Sequence, residues 1–133
     1  MHKCFQNKLK KIILPDGIET IGDGAFSNCP ELNDVNIPAS VTKLGKGIFE
    51  KCTDLFSITL PEGITEIPEG MFRNCQALQI VKLPGSVVKI GKGAFEGCRS
   101  LRKIQLPPAL ETLEDGCFKN CASLEKIELP ETV

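Results

Sequence analysis

The chain has no tryptophan, no tyrosine and a single histidine, His2, close to its start. With so few aromatics, it lacks the stacking platforms on which single-stranded nucleic acids are held. A lone terminal histidine leaves a Ser-His-Asp type triad without its base. Excess charge of either sign is also missing: 16 Lys and Arg stand against 17 Asp and Glu, for a net charge of -1. A general phosphate-binding surface needs a basic excess, so nucleic acid is not an expected partner. No apolar run reaches the 18 residues that read as a membrane span, so no membrane insertion is expected. The opening MHKCFQNKLKK has no apolar stretch of the signal-peptide kind. Zinc-protease, Walker-loop and nucleophile-elbow motifs are absent, and so is an N-glycosylation sequon. These gaps point to a chain that is not an enzyme and needs no cofactor.

What is present is periodicity. Cysteine recurs at 29, 52, 75, 98 and 121, every 23 residues, and phenylalanine at 26, 49, 72, 95 and 118. Proline (15, 38, 61, 84, 107, 130), leucine (32, 55, 78, 101, 124) and glycine (24, 47, 70, 93, 116) keep the same register. The units run 15–37, 38–60, 61–83, 84–106 and 107–129, after a shortened unit 1–14 and before a partial unit 130–133. The expectation is a single domain over 1–133, cut from a longer array. About seven apolar columns per unit are too few for a self-sufficient core, so the units must stack to bury one another. Leu129 falls in one of those inward columns.

Local pattern assigns the elements. In Leu32–Pro38, Val35 and Ile37 alternate with Asp34 and Asn36, the period-2 mark of a half-buried strand that proline ends. One such strand per coil makes a parallel sheet of six strands, on the order of 25–30 Å long. Ile18–Ile21 is a second extended piece or a turn. Gly24 sits where the backbone needs positive φ or close clearance. Ala25–Cys29 has room for one helical or 3₁₀ turn on the opposite side. Asn28, Asn74 and Asn120 suit turns, where the side chain can bond nearby backbone.

Taken together, C-x-x-L-x-x-I-x-I/L-P-x-x-V/I-x-x-I-G-x-G-A-F-x-x-C resembles the BspA-like leucine-rich repeat family, also called the Treponema pallidum type, over about residues 9–133. Departures are small. Pro68 and Glu114 replace the glycine of 22, 45 and 91, and Ile48, Met71 and Cys117 replace the alanine of 25 and 94. Cys4-Phe5-Gln6-Asn7 is similar to Cys117-Phe118-Lys119-Asn120 but reaches Leu9 two residues early. The resemblance implies a leucine-rich repeat solenoid with strands on its concave face. It also implies a recognition role, in adhesion or in binding host, matrix or other partner proteins, at the cell surface or secreted within a longer protein. It transfers no catalytic residue.

The seven cysteines could signal disulfides or a metal. Cysteines one coil apart point in parallel with Cβ atoms near 5 Å, whereas a disulfide needs about 3.8 Å and facing side chains. They read instead as small core residues with no metal role; Cys4 is the exposed, reactive candidate. For partner binding the outward strand positions supply Phe56, Ile80, Lys82, Arg102 and Lys103, an apolar centre with a basic rim. The competing reading is of isolated exposed apolar residues without function. The function expected is non-catalytic recognition of another protein; the alternative is a spacer, or a scaffold without a ligand of its own. Uncapped ends leave self-association open: residues 107–133 carry six acids and two lysines, and residues 1–11 four lysines.

Overall fold

The computed structural model describes residues 8–133. Cys4 and the rest of segment 1–7, where the shortened first unit begins, lie outside the described residues. The 23-residue units stack as coils of a solenoid. One row of strands comprises β1 (Lys11–Ile13), β3 (Asp34–Asn36), β5 (Ser57–Thr59) and β7 (Ile80–Lys82). A second row comprises β2 (Thr20–Ile21), β4 (Lys43–Leu44), β6 (Glu66–Ile67), β8 (Lys89–Ile90) and β9 (Thr112–Leu113). The Ile18–Ile21 segment is thus a strand in its second half. All pairings are parallel and shifted by one unit, as in Lys11 against Asp34 and Ser57 against Ile80.

The first row is not the continuous six-strand sheet expected. β1 pairs with β3 and β5 with β7, but β3 does not pair with β5. The two C-terminal coils meet through a single bridge, Lys103 to Lys126. The second row breaks once, between β4 and β6, and here the cause is visible. Gly45, Gly91 and Glu114 each donate their N–H to the preceding coil, at Ile21, Ile67 and Ile90. Pro68 occupies the equivalent place and has no N–H to give. The breaks in the two rows fall at different junctions, so each junction keeps at least one ladder.

The uninterrupted element is the side where a helical turn was expected. Among the described residues there is no helix or 3₁₀ segment; the N–H groups alternate between two duties instead. Those of Gly24, Phe26 and Asn28 cross to carbonyls of the next coil at Lys46, Ile48 and Glu50, over 2.8–3.0 Å. Ala25 and Ser27 close local turns on Gly22 and Gly24. The crossings recur at every later junction, as in Phe49 to Met71, Phe72 to Ala94 and Phe95 to Cys117. A helix would direct all of these donors along its own axis and leave the neighbouring coil unbound.

Two left-handed columns make this possible. Gly24, Gly47, Gly70, Gly93 and Gly116 lie at φ 60–68, and Asn28, Lys51, Asn74, Gly97 and Asn120 at φ 60–77. Glycine enters this region freely and asparagine at small cost, which is the reason the structure gives for the asparagine column. Inside the spine the phenylalanines stack, ring centroids 5.3–5.8 Å apart and planes within 21°. Phe49, Phe72 and Phe95 are wholly buried, together with Leu32, Leu55, Leu78 and Leu101. Leu129, expected inward, is 58% exposed because no coil lies over it in the structure.

Among the described residues, Lys51 is the one spine residue in a left-handed position that is neither Gly nor Asn. A β-carbon there costs roughly 1–2 kcal/mol, part of which glycine returns through the entropy of the unfolded chain. Lys51→Gly is therefore expected to raise stability by about 0.5–1 kcal/mol in urea unfolding.

Candidate binding face and the thiol ladder

The first strand row presents its outer residues to solvent because each three-residue strand alternates out, in, out: Ile58 and Val81 are buried, and their neighbours are exposed. Phe56, immediately before β5, is 46% exposed and Ile80 45%. They sit across one junction, where the Phe56 carbonyl accepts the N–H of Gln79 at 2.9 Å and of Ile80 at 3.2 Å. Lys82 lies on the same side of β7 as Ile80, opposite Thr59. Arg102 and Lys103 belong to the next coil. Lys103 is one repeat beyond Ile80 and bridges Lys126, while Arg102 pairs with Glu125 at 3.6 Å. The structure therefore puts all five sequence-nominated residues on the exposed strand row, three of them in one laddered pair of coils. Ile13, 65% exposed, is on the same face but three coils away.

Charge along this row is mostly compensated. Lys11 meets Asp34 at 3.7 Å and Lys126 meets Glu128 at 3.1 Å. Among the described residues Lys82 and Lys103 take part in no ion pair. Beside Lys103, a cleft of about 590 Å³ is lined by Gln105, Leu106, Pro108, Lys126, Glu128 and Leu129 among others. Sequence reasoning overlooked it, because its walls come from adjoining coils and only the columns of Lys103 and Gln105 hint at it. A cleft of about 670 Å³ runs beside the asparagine column, between Asn28, Glu31, Lys51, Asn74 and Gln76. Among the described residues no three potential metal ligands gather in one place, and no helix is long and apolar enough to cross a membrane.

The cysteine column is more than small core filling. Cys52, Cys75, Cys98 and Cys121 each donate their thiol to the phenylalanine carbonyl of the preceding coil, at Phe26, Phe49, Phe72 and Phe95, over 3.1 Å. These four and Cys117 are free. Cys29 is disulfide-bonded, which corrects its reading as a reduced core residue. Its column neighbour Cys52 in the following coil is a free thiol. Loss of solvent pushes the Cys52 and Cys121 thiols up to about 11 and Cys98 to about 12. Burial also raises the Cys75 thiol well above its ordinary range, and Cys117 is raised as well.

The repeat is diagnostic at the level of family. The BspA-type leucine-rich repeat region matches in six copies, over residues 1–87 and 71–133. The chain belongs to that family. This BspA-type protein is similar to a leucine-rich repeat protein of Bacteroides ovatus, with 37% identity, a TM-score of 0.91 and 96% of this chain covered against 33% of the other. It is similar to a leucine-rich cell surface protein of Faecalibacterium prausnitzii, with 35% identity, TM-score 0.82 and coverage of 90% and 32%. The leucine-rich repeat protein of T. pallidum gives 34%, 0.87, and coverage of 92% and 60%. The BspA-type chain thus spans about a third of the first two and 60% of the third. Comparison with curated proteins returns no match.

The raised thiols have a consequence for alkaline stability. An unfolded cysteine ionises near 9.0, whereas Cys98 stays protonated to about 12 in the folded chain. The folded state retains the proton, so the contribution is intact below pH 9 and is lost as pH climbs toward 12. Cys98→Ala removes one such group. Its loss of stability between pH 9 and 12 is expected to be shallower than that of the parent by up to about 1.4 kcal/mol per pH unit, read from urea midpoints.

Proposed function

We propose that the chain is a non-catalytic recognition module that binds another protein on the outer side of its first strand row, and that it works at a cell surface. The observation that carries this reading is the pair of half-exposed apolar side chains, Phe56 and Ile80, across one junction of a rigid face. An inert spacer is served by an evenly polar face, and this face is not one. A large aromatic beside an aliphatic, rimmed by cations, is the composition of an interface centre. The backbone beneath is already ordered by ladders and spine, so association carries a reduced ordering cost. The surface location is supported by similarity to a structure named as a leucine-rich cell surface protein.

The residues assigned are Phe56, Ile80, Lys82, Arg102 and Lys103. The test is selection of a displayed random peptide library on the folded chain, followed by titration of the strongest peptide. Phe56→Ser/Ile80→Ser is expected to retain the parent's melting temperature within a few degrees and to lose at least tenfold in affinity. Undiminished affinity would contradict the assignment.

A further inference from the structure

We infer that the partner contacts this face with an acidic segment, an apolar side chain flanked by aspartate or glutamate, seated over Ile80. This rests on the recognition reading above and adds the chemistry of the occupant. The argument is charge complementarity around one residue.

Along the strand row, Lys11, Arg102 and Lys126 are each matched by a carboxylate of this chain: Asp34, Glu125 and Glu128. Of the three cations left over, Lys10 lies three coils away, and Lys82 and Lys103 border Ile80. Lys82 is two residues along the same strand, on the same side, about 7 Å away by strand rise. Lys103 follows in the same repeat position one coil on. A chain with net charge -1 therefore places an uncompensated double positive charge around its exposed apolar centre. Lys103 is also in register with Lys126, so its nearest strand neighbour is another cation.

A partner that covers Ile80 must strip water from both ammonium groups. Without opposite charge that desolvation opposes binding, and with carboxylates at matching distance it is offset while the encounter is accelerated. Basic partners meet like charge, and neutral ones leave the ammonium groups unpaired. The spacings ask for an acid within one or two residues of the apolar anchor in an extended segment.

The test uses a displayed random heptapeptide library, selected in parallel on the full chain, on Lys82→Glu/Lys103→Glu and on Phe56→Ser/Ile80→Ser. Peptides from the parent should be rich in Asp and Glu beside an apolar residue. Their affinity should fall at least tenfold on Lys82→Glu/Lys103→Glu and weaken as NaCl rises from 50 to 300 mM. The reversed variant should instead enrich Lys and Arg. Lys82→Gln/Lys103→Gln, which removes charge without reversing it, should give an intermediate loss. Selection without acidic bias, affinity indifferent to both lysine variants, or no enrichment on the parent would overturn the inference. Loss on Phe56→Ser/Ile80→Ser with indifference to the lysine variants would leave the recognition face standing and remove only its acidic partner. Indifference to the apolar variant would remove the face itself.

Discussion

Alternate donation along the spine is the constraint the rest of the molecule depends on. In the four coils between Gly24 and Gly97, the first, third and fifth N–H groups of a five-residue segment are given to the next coil, and nearly all of those between close local turns. Buried backbone donors must be satisfied, and here the neighbouring coil satisfies them. The phenylalanine carbonyl shows how far this goes: Phe49 receives both the N–H of Cys52 in its own coil and the thiol of Cys75 in the next. A coil separated from its neighbour would lose these bonds, the ring stack and the thiol contact together. The fold is therefore cooperative along its length, and no unit has a private core.

The spine also explains why the strand rows can be discontinuous. Three-residue and two-residue strands contribute few ladder bonds, and a proline at position 68 removes one without displacing the coil. The uninterrupted side keeps the spacing while the other sides tolerate variation. That tolerance is useful to a binding surface. The outward residues at 57, 80 and 103 are Ser, Ile and Lys, while the inward residues at 58, 81 and 104 remain Ile, Val and Ile. Packing governs one set, and solvent or a partner governs the other.

Much of this was legible in the columns. Phe, Cys, Leu and Gly repeating in register dictate stacking, and period-2 alternation at Val35 and Ile37 dictates a strand. The candidate face was legible because Phe56 and Ile80 each break a polar column. Three features were hidden, each for a physical reason. Cysteine looks like a small apolar residue in a sequence, and its hydrogen bond appears only when a carbonyl of another coil is placed beside it. The five residues Ala25–Cys29 would fit a helical turn equally well, and it is the left-handed backbone at Gly24 and Asn28 that decides against one. The disulfide at Cys29 departs from a column whose other members are free, and column periodicity carries no information about such an exception. Conversely, the consequence of Pro68 was written in the sequence: a proline in a column of donors marks a ladder break.

The most direct measurement of the spine's primacy is native-state amide hydrogen exchange resolved by residue. The account predicts that the N–H groups of Phe49, Phe72 and Phe95 exchange last, at the free energy of global unfolding, while those of Ile58 and Val81 in the first strand row open earlier. Strand amides that outlast the phenylalanine amides would show that the sheet, and not the spine, holds the coils together.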